Sequence, residues 1–231
     1  MKKNHVALNF ILGNPLSKIL FLFYVLCPLN VNSQTVAKSM YYKVISFDEK
    51  IQFGDVENSA KWTITNTKDN IYVSVTGNLI NDYVFSKAGT YEIAYSDAKK
   101  HTAGECSHVQ FEDRMSIKVN PVKMKFDFTK ISFSDKIQRG KNCEGIFITV
   151  PVNVEMKDLQ TAKFVVPNVT VAGVGSSIIA KPVTSEVILK NGKQFLRYQL
   201  SGVAAQEAYL MFDFVDNNNN IQTYNQPTLV N

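Results

Sequence analysis

Apolar and polar residues alternate with a period of two along much of this chain, a pattern typical of half-buried β-strands. The longest example runs from Ile146 to Met156, where polar residues such as Thr149 and Asn153 separate the apolar positions. Pro151 removes one main-chain donor from this strand, so we expect a bulge there or a position at a sheet edge. After residue 33, no stretch sustains a 3.6-residue apolar period over three turns. The predicted class is all-β.

The first half of the chain contains a series of shorter segments with strand character, separated by turn residues. Such short, evenly spaced strands are typical of a β-sandwich. The predicted strands are Tyr41–Phe47, Ala60–Thr65, Ile71–Thr76, Asp82–Phe85, Thr90–Tyr95 and Met115–Val119.

The second half contains two local signals besides the long strand. Apolar residues occupy even-numbered positions at Phe126 and Phe128 and odd-numbered positions at Ile131 and Phe133. This shift of the alternation by one residue predicts a β-bulge. Farther along, Asn191-Gly192 separates two strand-like runs, 187–190 and 193–198, and predicts a hairpin with a type I′ turn.

The segment from Val84 to Tyr95 resembles the corner between strands E and F of immunoglobulin-like and PKD-like domains. In those families a tyrosine at the start of strand F hydrogen-bonds back to the corner backbone. Tyr91 matches that tyrosine and Gly89 matches the turn, while Ile93 stands where antibody domains place a cysteine. The resemblance covers residues 40–119 and implies that this half is an immunoglobulin-like sandwich.

A short, stiff segment from Val119 to Lys123, containing Pro121, is the expected domain boundary. We therefore predict two tandem immunoglobulin-like β-sandwiches, residues 34–120 and 121–231. The second lacks a Gly-x-Tyr corner, so its assignment depends on strand number and on its neighbour. A single domain with one fused sheet is the alternative, since β folds of this length occur.

The first 33 residues have the pattern of a secretory signal peptide. Lys2 and Lys3 precede an apolar run at Ile19–Leu26, which is too short to span a membrane. Val31 and Ser33 suit the small-residue pocket of signal peptidase, so we place the cut before Gln34. The alternative is a buried N-terminal helix or strand. The interpretation predicts an exported protein, periplasmic or at the cell surface, without membrane insertion after signal removal.

Net charge argues against a nucleic-acid partner. The full chain carries +5, and removing residues 1–33, which hold three lysines and no acidic residue, lowers this to +2. No strong basic field would remain to attract phosphates.

Two cysteines, Cys106 and Cys143, follow the signal segment. An oxidising compartment favours a disulfide between them. The expected domain arrangement opposes one, because the two cysteines would lie at far ends of an extended pair, whereas a disulfide needs Cα atoms within about 7 Å. The sequence leaves this pairing open.

No metal, cofactor or catalytic site is expected. His101, Cys106 and His108 follow no recognised zinc spacing, so a solvated loop is the preferred interpretation. The run Asp216–Asn220 offers one carboxylate, which is few for calcium, and a hairpin tip is preferred. Neither a nucleophile elbow nor a phosphate-binding glycine loop is present.

These observations favour a non-enzymatic exported module that binds another envelope or surface protein. One alternative is carbohydrate binding through the tyrosines Tyr41, Tyr42, Tyr72 and Tyr83, although Tyr72 has the parity of a solvent-facing residue. The other is a fibre subunit that pairs through an open edge at the long strand, residues 146–156.

Overall fold

The computed structural model describes residues 41–97 and 111–230, and these form an all-β structure. Three 3-10 helices accompany the strands in this part of the chain, at Thr67–Asp69, Gly77–Asp82 and Phe128–Lys130. The strands are β1 Tyr41–Ser46, β2 Lys61–Asn66, β3 Ile71–Thr76, β4 Gly89–Ser96, β5 Arg114–Asn120, β6 Val122–Phe126, β7 Ser132–Phe133, β8 Phe147–Met156, β9 Ala162–Val165, β10 Val169–Ala172, β11 Ile179–Pro182, β12 Glu186–Leu189, β13 Gly192–Ser201, β14 Met211–Val215 and β15 Ile221–Asn225.

The first half forms one five-stranded sheet in the order β1-β5-β4-β2-β3. Its neighbours are antiparallel except β1 and β5, which run parallel. Five of the six strands predicted in this half are present, with ends within one residue of the prediction. The sixth, Asp82–Phe85, is wrong, because Gly77–Asp82 is a 3-10 helix and Phe85 makes only an isolated bridge with Glu49.

Asparagine side chains explain that difference. Asn78 Oδ1 accepts a hydrogen bond from the Val56 N–H at 2.7 Å, and Asn81 Oδ1 accepts one from the Phe53 N–H at 2.6 Å. The two bonds span 22 and 28 residues in sequence, so they hold this segment against another loop instead of in a strand ladder. The helix is thereby attached to the loop at residues 53–56.

The core of the first half lies between the sheet and two irregular segments, 47–60 and 77–85. Trp62 is fully buried in this core. Ile51 and Val56 from the first segment, and Ile80 and Phe85 from the second, belong to the same hydrophobic cluster as the sheet residues. The layer that faces the sheet is therefore built from loops rather than from a second sheet.

The second half is built on an eight-stranded sheet in the order β15-β14-β10-β11-β13-β8-β6, with β7 also paired to β8. β8 is a central strand, with β13 on one side and β6 and β7 on the other. The interpretations that made residues 146–156 an edge strand and a fibre-pairing site are therefore wrong.

Pro151 and the parity shift after Phe128 have one common explanation. The strand next to β8 is interrupted between β6 and β7 by the 3-10 helix Phe128–Lys130, so the predicted bulge is a helical turn. The Pro151 carbonyl accepts from the Asp127 N–H at 2.8 Å. In an antiparallel strand the nitrogen and the carbonyl of one residue point to the same side. The nitrogen of Pro151, which carries no hydrogen, therefore faces the interruption, where no neighbouring strand requires a donor.

The two ends of the eight-stranded sheet are joined by one side chain, Gln222 of β15. Its Oε1 accepts from the Phe126 N–H at 3.0 Å, and its Nε2 donates to the Met124 carbonyl at 3.1 Å. This amide satisfies main-chain groups of β6 as a neighbouring strand would. The outer edge of β6 is consequently covered.

A separate two-stranded sheet consists of β9 and β12. The predicted hairpin at Asn191-Gly192 is wrong, because β12 pairs with β9 while β13 pairs with β8. A type I′ turn needs positive φ at both positions, and here only Gly192 has it, at 105°. Asn191 instead accepts from the Met156 N–H through Oδ1.

The described residues belong to one compact unit that contains two hydrophobic cores. One core extends to Val119 and the other begins at Val122. The two large sheets share no strand, and the division of the chain into two domains stays a prediction. Within the described part of the chain, no helix has the length and apolar character needed to cross a membrane.

Candidate functional site

A groove of about 360 Å³ opens where the chain passes from the first core to the second. One wall is formed by residues 120–122, before and at the start of β6, together with the tip of the β14–β15 hairpin. The other wall is formed by β9, with Leu159, Pro167 and Leu189 around it. The size is at the lower end of the range for ligand pockets in proteins.

Four consecutive residues of β9, Ala162 to Val165, line the groove. Their side chains alternate between the interior and solvent, with Phe164 buried and Lys163 and Val165 exposed. Residues of both orientations can line the same groove only if the strand edge faces it. β9 has β12 on its other side.

The hydrogen-bond phase of the β9–β12 ladder identifies which main-chain groups point into the groove. The Val166 N–H donates to the Ser185 carbonyl at 2.8 Å, and these two residues are opposite each other in the register. In an antiparallel pair, every second opposed pair exchanges hydrogen bonds. Phe164 therefore bonds to β12, whereas Lys163 and Val165 direct their N–H and C=O groups away from it, into the groove.

Asparagine side chains form the opposite wall. Asn217 Nδ2 donates to the Val122 carbonyl at 2.9 Å and to Asn218 Oδ1 at 3.1 Å, and these two acceptors fix the orientation of its amide. Asn217 Oδ1 is buried and accepts no hydrogen bond from the described residues. A buried acceptor without a donor is unfavourable by about 1–3 kcal/mol.

The hairpin tip also joins the two halves of the structure. Asn218 Nδ2 donates to Ser46 Oγ at 2.7 Å, and Ser46 Oγ donates to the Val122 carbonyl at 3.0 Å. Asn120 Nδ2 donates to Asn218 Oδ1 at 3.0 Å. Ser46 and Asn218 are both buried, so this network fixes one wall of the groove relative to the first sheet.

The run Asp216–Asn220 is the predicted hairpin tip, and this prediction is confirmed. Asp216 Oδ1 accepts from the N–H groups of Asn218 and Asn220, at 2.8 and 2.9 Å, and Asn219 has a left-handed φ of 63°. The carboxylate is thus occupied by turn donors. Across residues 41–97 and 111–230, no group of three or more His, Cys, Asp or Glu residues is placed to hold a metal.

The rim of the groove on the β9 side is apolar with one surface ion pair. Val165 is 69% exposed and Ile188 of β12 is 45% exposed. Lys163 Nζ and Glu186 Oε1 lie 3.1 Å apart on the same outer face. The charges compensate each other, so the rim carries no net charge and its accessible contact surface is aliphatic.

Gly89 and Tyr91, the two residues of the predicted corner, lie in the first half and are not among the residues that line this groove. The Tyr91 hydroxyl donates to the Lys87 carbonyl at 3.0 Å, and its ring is buried. Burial raises the pKa of this tyrosine. Gly89 has a φ of 147°, and a Cβ placed there would lie 2.9 Å from Asn66 Nδ2. Both residues therefore belong to the packing of the first core.

Of the predicted cysteine pair, Cys143 is buried in the second core, and Cys106 lies outside the described residues. Burial raises the pKa of the Cys143 thiol. The pairing stays an open prediction. His101, His108 and the predicted signal peptide at residues 1–33 also lie outside the described residues.

The four candidate sugar-binding tyrosines do not form one platform. Tyr72 is 73% exposed and Tyr42 is 58% exposed, while Tyr83 is half-buried against Phe85. The exposure of Tyr72 confirms the prediction that its side chain faces solvent. The pairing register places Tyr72 and Tyr42 in the same row of the outer face, at opposite edges of the sheet.

The sequence interpretation missed the groove, although its parts were visible as sequence. Residues 162–166 are a short, mostly apolar run before Pro167, and the Asn run by itself predicts only a turn. What brings them together is the pairing of β9 with β12 and the packing of the hairpin tip on residues 120–122. Neither contact has a local sequence signal.

Comparison with protein-family models, with curated proteins and with solved structures finds no match to this chain. The resemblance to immunoglobulin-like and PKD-like domains therefore stays a prediction from the residues around Tyr91.

Proposed function

We propose that this protein is an exported, non-enzymatic binding module that serves as an accessory to another envelope or surface protein. In this proposal its two halves are tandem domains of the immunoglobulin-like type. Three observations support it. The N-terminal segment has the pattern of a signal peptide, and there are two hydrophobic cores, of which the first ends at Val119 and the second begins at Val122. The third observation is the hydrogen bond from the Tyr91 hydroxyl to the Lys87 carbonyl. The loop-built layer of the first half is a departure from a two-sheet sandwich.

The observation that carries a binding function is the groove beside β9. It combines an edge of β9 whose main-chain groups at Lys163 and Val165 point away from β12, a wall of asparagine side chains and an aliphatic rim. Its titratable lining residues are Lys163 and Asp216. Lys163 is exposed and ion-paired, and Asp216 is occupied by turn donors, so neither is arranged as an acid, base or nucleophile. The groove is suited to holding a partner rather than to converting a substrate.

The test is affinity capture from native, cross-linked cell envelope with the tagged protein as bait, read by quantitative mass spectrometry. We expect one envelope protein at near-equal abundance with the bait. Leu159→Glu places a charge at an exposed position of the groove and should remove that partner. Tyr209→Ala, at an exposed position outside the groove lining, is the matched control and should retain it. Equal capture by both variants, or recovery of the protein from the cytosol, would contradict the proposal.

Carbohydrate binding is the second candidate, and the outer face of the first sheet is the observation that favours it. The row that joins Tyr72 to Tyr42 passes through the polar residues Thr65, Glu92 and Ser116. At about 4.8 Å per strand, the two rings are about 19 Å apart, the scale of a short glycan chain. Binding on a glycan array that Tyr72→Ala abolishes and Tyr209→Ala preserves would support this function. An array without binding would count against it.

A further inference from the structure

We propose that the groove accepts an extended segment of the partner polypeptide, which adds to β9 as a third strand. This inference depends on the proposed function, because it specifies how the partner is held. The occupant is a single extended segment with apolar residues at alternate positions, contributed by a different protein.

The first argument is the pattern of main-chain groups on the edge of β9. Lys163 and Val165 each present one N–H and one C=O to the groove, and the two residues are about 6.6 Å apart along the strand. Another extended main chain carries donors and acceptors with this same two-residue repeat. Strand addition to an open edge uses these groups for affinity and alternate side chains for specificity.

The second argument is the polar wall opposite β9. Asn217 lines this wall, its Nδ2 is held by Val122 and Asn218, and its Oδ1 is buried and accepts no hydrogen bond from the described residues. A strand between β9 and the hairpin tip has one edge toward each wall. Its N–H groups on the β9 side would meet the carbonyls of Lys163 and Val165, and its other edge would face the asparagine side chains of the tip.

The third argument is size, which favours a lone segment over a second copy of the chain. At about 360 Å³ the groove lies at the lower end of the range for ligand pockets, which suits one short segment. The hairpin tip and residues 120–122 close the far side, so the edge of an intact second sheet has no room to enter.

The fourth argument concerns side chains. Ala162, Phe164 and Leu189 supply apolar surface on the inner side of the groove, and Val165 supplies it at the rim. Side chains of an added strand alternate between these two sides. With Lys163 compensated by Glu186, an uncharged aliphatic segment is the best complement.

The probe is a library of random nine-residue peptides displayed on phage and selected on the immobilised full chain, followed by synthesis and affinity measurement of the enriched peptides. Val165→Pro removes the N–H that points into the groove and leaves the β9–β12 bonds in place. Ser74→Pro is the matched control, since Ser74 is an exposed residue of the edge strand β3, outside the groove, and the ladder phase directs its N–H away from β2. Loss of a main-chain hydrogen bond and steric interference from the ring should weaken binding about tenfold or more in Val165→Pro, and less than threefold in the control.

Two further measurements keep the result interpretable. Val165→Lys changes an exposed side chain, retains the N–H and should also weaken binding, because lysine guards strand edges. Hydrogen exchange should show that bound peptide slows exchange at Lys163 and Val165. Peptides that bind Val165→Pro as well as the unaltered chain would overturn the inference, as would a dimer of the chain that Val165→Pro dissociates. If envelope capture is lost in Leu159→Glu but unchanged in Val165→Pro, the proposed function stands and strand addition is wrong.

Discussion

Gly89 shows how one residue position can be fixed by both backbone and contacts. Its φ of 147° lies in a region that side chains with a Cβ rarely adopt, and the added Cβ would lie 2.9 Å from Asn66 Nδ2. Asn66 is itself buried and donates to Asp69 at 3.0 Å. The corner at Tyr91 thus depends on the absence of a side chain two residues earlier.

We predict that Gly89→Ala lowers the free energy of unfolding by about 3 kcal/mol, since it adds backbone strain and a contact that Asn66 cannot relieve freely. Gly54→Ala is the control. Gly54 also has positive φ, at 83°, but a Cβ there meets nothing within 4 Å, so we expect a loss of about 1 kcal/mol. Urea denaturation of both variants is the measurement. Equal losses would contradict the role of the Asn66 contact.

Tyr198 is the buried titratable residue with the clearest consequence for pH dependence. It lies on β13 in the second core, and burial raises its pKa far above the ordinary value of about 10. The unfolded chain then loses the proton at lower pH than the folded protein does. The stabilisation is fully present below pH 10 and is lost as pH rises above it.

A tyrosine whose pKa is raised in the folded protein should reduce the free energy of unfolding by about 1.4 kcal/mol per pH unit above pH 10. We predict that Tyr198→Phe makes this alkaline loss shallower by about that slope, because phenylalanine carries no proton to release. The measurement is urea denaturation between pH 8 and pH 11.5. Parallel curves for the variant and the unaltered protein would contradict the prediction.

Gln222 is the corresponding feature at the scale of elements, because it joins the first and last strands of the eight-stranded sheet. We predict that Gln222→Met lowers the free energy of unfolding by about 1–3 kcal/mol, since the Phe126 N–H and the Met124 carbonyl lose their partner. Thr223→Ala, at the next and solvent-facing position, should cost less than about 0.5 kcal/mol.

Chemical denaturation of the two variants, with hydrogen exchange at Phe126, tests this role. The exchange of the Phe126 amide should accelerate in Gln222→Met and stay unchanged in Thr223→Ala. Unchanged exchange in Gln222→Met would mean that β6 is covered by other groups.

The strands were predictable where the pattern is local, and their pairing was not. Alternation located β3 at Ile71–Thr76 without error, because each side chain reports the face it occupies. The parallel pairing of β1 with β5 and the departure of β12 to β9 depend on contacts distant in sequence. Pro151 by itself predicts a bulge or a sheet edge, because the sequence does not show that the neighbouring strand is the interrupted one. The groove was missed for the same reason.

At the scale of the whole molecule, the polar network around Asn218 connects the two cores. Its side chain contacts Ser46 of β1 and Asn120 at the end of β5, while its own main chain belongs to the β14–β15 hairpin. Lys157 adds a second connection, donating to the Ser86 carbonyl at 2.7 Å. The two halves should therefore unfold together.

We predict that Asn218→Ala lowers stability by about 2–3 kcal/mol and separates the unfolding of the halves, because buried partners such as Ser46 lose their hydrogen bonds. Trp62, the single tryptophan, reports on the first core by fluorescence, and far-UV circular dichroism reports on all strands. The two transitions should coincide in the unaltered protein and diverge in the variant. Asn225→Ala, at an exposed position of β15, is the control. Coincident transitions in Asn218→Ala would mean that other contacts couple the cores.

The central claim is that β9 has an open edge facing the groove, and native-state hydrogen exchange of the free chain tests it most directly. The ladder phase predicts an alternation within four residues. The amides of Phe164 and Val166, bonded to β12, should be protected, while those of Lys163 and Val165 should exchange at rates typical of exposed amides. Equal protection at all four amides would show that the edge is already covered, and would contradict the account.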